Sequence, residues 1–272
     1  MSTLNISTTK ALDVARESAE RAGSIAMDLF RTDLEVDTKQ GKTDVVTRAD
    51  EEAQAAAVAV LEDAYPDAVI VGEEDDQQQA VPDEGMAWLI DPIDGTNNYV
   101  TGNRRWATSV ACVVDGRPVA AVNTMPALGD TYVGTADGLR RNGSPSTVSE
   151  RTDPETFRVA PIIWWPRDRR DEYAAASKAI LTRFGDMLRF GSAQAALSLV
   201  AGGGIEGVVT NVEANPWDSV AGAAMVEWAG GTVTDLDGDD WHHDSRGLVA
   251  SNGTAHDVVL DAAQEFDRVR DI

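Results

Sequence analysis

The sequence predicts a layered chain, with an α+β front half and an α/β back half. Three observations point there. Two long stretches with apolar residues at helical spacing open the chain. A series of short β-like runs separated by turn residues follows. From about residue 158 onward, helical and strand-like segments alternate, and the helical ones end at glycine. The expected division is residues 1–150, holding both opening helices and an antiparallel sheet, and residues 151–272.

From Thr9 to Arg31, Leu12, Val14, Ala15, Ala19, Ala22, Ile25, Ala26, Leu29 and Phe30 recur with the period of an amphipathic helix. "TRADEEAQAAAVAVLEDAYP" is a second helix, with Thr47 as N-cap, Glu51 and Glu52 in its early turns and Pro66 just past its end. Strands are expected in "AVIVGEE", "AWLID", "TSVACVVDGRPVAAVNTM" and "DTYVGTADG", and Asp115-Gly116 marks a hairpin turn. Further on, "EYAAASKAILTRF", "SAQAALSLVAGG" and "WDSVAGAAMVEWAGG" are helical, "DMLRF" is strand-like and "TVTDLDGDDW" reads as a hairpin-like end.

Composition sets the broad class. At 272 residues and 43% hydrophobic content the chain is globular, with enough length for a sizeable core. It holds no apolar run long enough to span a membrane. "MSTLNISTTKALDV" lacks the basic and apolar regions of a secretion signal, so a cytoplasmic protein is expected. The single cysteine, Cys112, sits in the apolar run "SVACVV" and reads as a buried small hydrophobe, which excludes a disulfide framework. Net charge is −23, from 46 acidic and 23 basic residues, and Lys10, Lys39, Lys42 and Lys178 are the only lysines. That balance argues against nucleic acid or an anionic membrane as partner. Self-repulsion of this size is screened by salt, so the surface reads as adapted to a saline cytoplasm, such as that of a halophilic archaeon.

Four acidic positions lie where a core segment meets a loop. Glu73 follows "VIVG", Asp91 and Asp94 close "WLIDPID", and Asp218 stands in "NPWDSVAG". Pro92 cannot donate to a sheet ladder, so the strand is expected to stop there and leave the Ile93 carbonyl free to turn. Gly95 permits close backbone approach, and Thr96 with Asn97 can begin a helix. Helix N-termini attract phosphate and clustered carboxylates attract hard cations. Two carboxylates about 5 Å apart repel by roughly 3 kcal/mol at an effective dielectric of 20. If the four converge, they need a cation to stay ionised together. The fragment suggests a metal-assisted phosphate site.

These residues resemble the signature blocks of the inositol monophosphatase superfamily. The blocks are "VGEE", "WLIDPIDGTNNYV" and "NPWDSVAGAAMVEWAGG", accompanied by "KQGKTDVVTRADEEAQ", and the likeness runs from about Ala11 to Asn252. The resemblance implies a five-layer αβαβα sandwich, a homodimer and a Mg²⁺-dependent phosphomonoesterase inhibited by lithium. By position, Glu73, Asp91 and the Ile93 carbonyl would hold one Mg²⁺ and Asp91, Asp94 and Asp218 a second, about 3.5–4 Å away. Glu73 can reach a third. Gly95 and Thr96 would bind the phosphate. Glu73 and Thr96, the latter hydrogen-bonded to Asp50, would orient the attacking water, with Lys39 or Lys42 beside the site. No protein nucleophile is implied.

Substrate contacts carry over less completely. The family's inositol phosphatases place a glutamate seven residues before the last metal aspartate. Here that position is Asn211, and Glu213 follows two residues later. Gly191, Ser192 and Ala193 match the segment that lies along the sugar in the family, and Asp94 is a further candidate substrate contact. Inositol 1-phosphate or a related sugar phosphate is the expected substrate. Archaeal members of the family that cleave fructose 1,6-bisphosphate make that the alternative, with Arg189, Arg167, Arg169 and Arg170 as candidates for a second phosphate. A 3′(2′),5′-bisphosphate nucleotidase and an interaction protein, as some bacterial relatives in transcription complexes are, complete the alternatives. "DLDGDD" begins like a calcium loop but has no following glutamate, and it reads with His242 and His243 as an acidic surface turn.

Overall fold

The computed structural model describes residues 7–33, 36–38, 45–74 and 77–271. Its front half runs α1 (Thr8–Leu29), β1 (Val36–Thr38), β2 (Val45–Thr47), α2 (Arg48–Ala64), β3 (Val69–Gly72), β4 (Met86–Asp94), α3 (Thr96–Val100), β5 (Ala107–Val114), β6 (Arg117–Met125), β7 (Asp130–Thr135), β8 (Gly138–Arg141) and β9 (Ser144–Ser146). The back half follows with β10 (Arg158–Pro161), α4 (Arg170–Arg183), β11 (Asp186–Met187), α5 (Ala193–Ala201), β12 (Gly207–Thr210), α6 (Pro216–Trp228), β13 (Thr232–Thr234), β14 (Leu248–Ser251) and α7 (His256–Asp267).

Seven strands form one sheet in the order β3-β4-β5-β6-β7-β8-β9, and five form a second in the order β11-β10-β12-β14-β13. Helices α1 and α2 cover the outer face of the larger sheet, α5 and α6 lie between the sheets, and α4 and α7 cover the smaller one. The result is an αβαβα sandwich. Strands buried on both faces explain the continuous apolar runs of the sequence. In β4, Trp88 and Ile90 pack toward α1 and α2, while Ala87 and Leu89 pack toward α5 and α6. Cys112 is buried, and burial pushes its thiol pKa up to about 12.

Local signals explain most boundaries. Thr47 and Asp50 close a capping box on α2, with Thr47 N donating to Asp50 Oδ2 at 2.8 Å and Ala49 N to Thr47 Oγ1 at 3.1 Å. Asp115 (φ 50°) and Gly116 (φ 73°) form the expected β5–β6 turn.

Three expectations need correction. The strand before the aspartates does not stop at Pro92. It continues to Asp94 through a bulge, pairing Asp91 with Ser109 and Asp94 with Ala107. The Pro92 carbonyl is satisfied by Thr108 Oγ1 at 2.8 Å. The "TVTDLDGDDW" segment does turn back on itself, with Thr234 bridging Asp240 antiparallel and Asp235 N donating to the Asp239 carbonyl at 3.0 Å, but the strand that pairs along β13 is β14, some thirteen residues on. Helix α7, absent from the expectation, packs its buried Val259, Ala262, Ala263 and Phe266 on the smaller sheet. Lys39 and Lys42 lie outside the described residues.

Candidate active site

The β4 bulge builds the site. Successive strand side chains alternate faces, so residues three apart ordinarily point to opposite sides. The extra residue between Asp91 and Asp94 reverses that parity. Both aspartates therefore face the central helices, where α6 supplies Asp218. One carboxylate oxygen from each of Asp91, Asp94 and Asp218 lies within 4.8 Å of the others. Glu73 stands outside this tight group. It follows β3 and lines the same cavity, close enough for its charge to raise the pKa of all three aspartates.

Each aspartate has a distinct environment. Asp91 is fully buried, and neither of its oxygens receives a hydrogen bond. Burial, then Glu73 and the other aspartates, pushes its pKa well above the carboxylate range. Asp94 accepts from Gln194 N at 2.6 Å, Ala193 N at 3.1 Å and Ser192 Oγ. Burial still outweighs these bonds and raises it to about 6. Asp218 is raised well above the usual range, first by burial and then by Glu73 and Asp94, although Asn215 Nδ2 donates to it at 3.0 Å.

This donor set fits a hard divalent cation. All the convergent side chains are carboxylates. A wholly buried carboxylate with no donor is costly unless a proton or a metal compensates it. The Ile93 carbonyl, whose side chain is buried on the opposite face of β4, accepts from Thr96 Oγ1 at 3.2 Å. That hydroxyl also reaches Asp50 Oδ1 at 3.3 Å, joining the two residues as expected.

Gly95 opens α3 in the left-handed region, with φ 95°. A Cβ there would sit 2.9 Å from the Gly191 carbonyl oxygen, so both conformation and space demand glycine. The cavity holds about 400 Å³ and is lined by Glu73, Asp94, Gly95, Thr96, Ser192 and Ala193 together with Trp164, Arg189, Glu213 and Asp218.

Asn211 is not at this cavity and must be corrected as a substrate contact. It is fully enclosed, accepting from Trp165 Nε1 at 2.7 Å and donating to Glu172 and to Asp267 Oδ1 at 3.1 Å. It directly follows β12 and is held toward α4 and α7 by Glu172 and Asp267, while Glu213, two residues later in the loop, reaches the cavity. Of the three arginines at the start of α4, none lines the cavity, and Arg169 pairs with Glu172.

Sequence reasoning missed the amides that fix the segments bearing these carboxylates. Gln54 of α2 holds the backbone beside Glu73, accepting from Glu74 N at 3.1 Å. Gln194 Nε2 donates to the Trp217 carbonyl at 2.7 Å, and Asn123 Nδ2 to Gln194 Oε1 at 2.9 Å. This chain links β6, α5 and α6 one residue from Asp218. Asn98 Nδ2 spans the carbonyls of Phe190 and Arg105 at 2.7 and 2.6 Å. A buried-looking amide near a motif was the one available signal, in "SAQAAL" and "DEEAQ".

The comparisons agree with this architecture. The model of the inositol monophosphatase family matches residues 8–268. A "Fructose-1,6-bisphosphatase/inositol-1-monophosphatase" of Thermotoga maritima is 31% identical over 260 residues, 93% of this chain and 96% of the relative. "Nus factor SuhB" of Escherichia coli K12 is 29% identical over 244 residues, 89% and 91% of the two chains. Among solved structures, an IMPase of Thermotoga maritima superposes with TM-score 0.86 at 31% identity, covering 95% of this chain and 98% of that one. Inositol monophosphatase from Anabaena gives 0.80 at 28% identity, covering 92% and 94%. Fold and likeness together define a phosphatase, a phosphoric monoester hydrolase. The chain belongs to the inositol monophosphatase family.

Proposed function

We propose that this phosphatase hydrolyses inositol 1-phosphate or a related sugar phosphate in a Mg²⁺-dependent reaction. One observation carries the reading: the buried, donor-free carboxylate of Asp91 set against Asp94 and Asp218. Glu73, Asp91, the Ile93 carbonyl, Asp94 and Asp218 would hold two or three ions. When bound, Mg²⁺ supplies the positive charge that polarises the phosphoryl oxygens and a water.

The chain's own groups then position the reactants. Thr96 donates its hydroxyl proton to Asp50, which leaves its oxygen to accept a hydrogen bond from the attacking water. Asp50 is held in place for this task because its other oxygen accepts from Thr47 N and Oγ1. The Glu73 carboxylate accepts the water's other proton as the new P–O bond forms and the ester P–O bond breaks, and the leaving alkoxide takes a proton from a second water, which Glu73 in turn restores. Gly95 and Thr96 offer backbone N–H groups to the phosphate. Ser192, Ala193 and Glu213 line the cavity on the leaving-group side, and positioning with charge neutralisation suffices for phosphoryl transfer.

The test is phosphate release in molar KCl with Mg²⁺ from inositol 1-phosphate, fructose 1,6-bisphosphate and adenosine 3′,5′-bisphosphate, with Glu73→Gln as control. Release by the wild type that the variant loses supports the site, and no release from any of the three would refute it. Fructose 1,6-bisphosphate as main substrate is the second reading, favoured by Arg189 on the cavity wall and by the name of the Thermotoga relative. Lithium inhibition and a homodimer follow from the family resemblance. A partner role like that in the SuhB relative's name is less favoured for contact with nucleic acid, given −23. The salt-adapted surface is read from the same charge.

A further inference from the structure

Helix α5 runs between the two sheets, and every residue of it but Leu199 is buried. Most of those buried residues are alanine, leucine or valine. Gln194 and Ser198, one turn apart, are polar and yet wholly enclosed. Asn123 of β6 meets them from the larger sheet and is enclosed as well. Burying three polar side chains costs free energy unless each is bonded, and apolar residues of the same shape would pack with little loss. The bonding here is incomplete, since Asn123 Oδ1 is buried without a donor. Stability alone does not account for this group.

Gln194 holds two of the clustered aspartates at once. Its backbone N–H donates to Asp94 Oδ2 at 2.6 Å. Its side-chain Nε2 donates at 2.7 Å to the Trp217 carbonyl, part of the peptide that joins Trp217 to Asp218. A carbonyl can only accept, so Nε2 must face it, and Oε1 is left to accept from Asn123 Nδ2 at 2.9 Å. Asn123 Nδ2 also donates to Ser198 Oγ at 2.9 Å, which fixes the amide from the β6 side. The bond to Trp217 is no helix cap. The groups orphaned at a helix N-terminus are N–H groups, while a carbonyl of the first turn takes the N–H four residues on. Gln194 therefore adds a bond that α6 does not need, at the peptide that carries Asp218. Gly222, one turn beyond Asp218, lets the two helices close on this amide, because a Cβ there would lie 2.8 Å from Gln194 Oε1.

We infer that Gln194 is a positioning residue that sets the separation of Asp94 and Asp218 and so tunes the acidic site to a small divalent cation. One residue holds both carboxylate-bearing segments, Asp94 through its main chain and Asp218 through its side chain, with β6 as the fixed support. Mg²⁺ demands near-octahedral geometry at about 2.0–2.1 Å, whereas Ca²⁺ accepts a looser shell at about 2.3–2.6 Å. A side chain that stops α6 from shifting against α5 matters more for the smaller ion. This role rests on the metal-dependent reading above and adds to it the residue that decides which cation the site prefers.

The test is calorimetric titration of the EDTA-treated, full-length protein with MgCl₂ and, separately, with CaCl₂. Gln194→Met keeps the volume and the backbone N–H and removes both side-chain bonds. It should weaken Mg²⁺ binding by about ten- to a hundred-fold, the scale found for residues that orient a metal ligand. Ca²⁺ binding should weaken far less, so the preference for Mg²⁺ over Ca²⁺ should fall by about tenfold. Ser198→Ala, which alters the same network without touching Trp217, should bind both ions as the wild type does. An unchanged Mg²⁺ affinity in Gln194→Met overturns the role, and so does an equal loss for both ions, the mark of a general loosening. Should Gln194→Met fail to fold, Asn123→Val, which frees Oε1 and lets the amide turn from Trp217, decides by the same two affinities. A wild type that binds neither ion overturns this role together with the metal-dependent reading. One that binds Mg²⁺ but releases phosphate from none of the esters refutes the proposed substrates alone, and the titrations still decide Gln194.

Discussion

Asp94 of the larger sheet accepts the backbone N–H of Gln194 at 2.6 Å and so caps α5, a helix of the next layer. One carboxylate thus belongs to the acidic cluster and to a helix terminus together. The two roles separate by substitution. Asp94→Asn keeps a carbonyl acceptor for the α5 amides, whereas Asp94→Ala removes it. In EDTA, Asp94→Ala should be less stable than Asp94→Asn by about 1 kcal/mol in chemical denaturation. Both should lose at least about a hundredfold in phosphatase activity, the two-decade scale of removing one organising charge from a catalytic site. Equal stability of the two variants would show that the cap is idle.

The raised carboxyls link stability to pH and metal. A carboxyl whose pKa is raised by folding holds its proton more tightly in the folded state. Its stabilising contribution is complete below the unfolded value and is lost as pH rises through the folded one. For Asp94 the window runs from about 4 to about 6, and Asp91 and Asp218 shift in the same direction. The metal-free protein should therefore lose this contribution between pH 4 and neutrality, while Mg²⁺ compensates the exposed charge. The Tm difference with and without 10 mM Mg²⁺, an amount chosen for the assay at about saturation, should grow with pH across the window. The same scan on Asp91→Asn should show a smaller rise.

Gly95 is constrained twice, by φ 95° and by the Gly191 carbonyl oxygen 2.9 Å from any added Cβ. Gly95→Ala should cost about 1–3 kcal/mol and lower kcat/KM by displacing Thr96. Thermal unfolding and phosphate release from the same preparation check both effects. A variant with wild-type Tm would mean that the α3 turn relaxes freely.

Asn211 and Glu213 make opposite predictions. Asn211→Ala leaves Trp165 Nε1 without its acceptor and takes one donor each from Glu172 and Asp267, which keep Arg169 and Arg246, a loss of about 1–3 kcal/mol in urea denaturation. Glu213→Ala should leave stability within about 0.5 kcal/mol and raise KM for inositol 1-phosphate. A raised KM with unchanged stability in Asn211→Ala would return that residue to the substrate.

Surface charge predicts the salt response. With net −23, Tm should climb as KCl rises from 0.1 to 1 M, where the Debye length falls from about 10 to about 3 Å. A flat Tm would indicate that the acidic residues are already neutralised locally.

Local chemistry was legible wherever a residue's neighbours in sequence are its partners in space. The capping box of Thr47 and Asp50, the Asp115-Gly116 turn and the amphipathic period of α1 all involve residues a few positions apart. The signature blocks also pointed to Glu73, Asp91, Asp94 and Asp218 before any geometry was known. Pro92 misled, because a missing N–H ends a regular ladder but is also tolerated at a bulge. Asn211 misled because counting residues from Asp218 says nothing about which face of β12 a side chain takes.

The sequence by itself determined the layered class, the acidic surface and the identity of the residues that end in one cavity. The first two follow from composition and periodicity, and the third from the resemblance of the signature blocks. Only the tertiary structure decided that a single extra residue in β4 turns Asp91 and Asp94 to the same side, and that Gln194 and Asn123 tie α5 and α6 to the larger sheet. It alone set Trp164 between two arginines more than 18 positions apart. Contacts between layers are fixed by packing across the core, and residues distant in sequence leave no local pattern from which such contacts can be read.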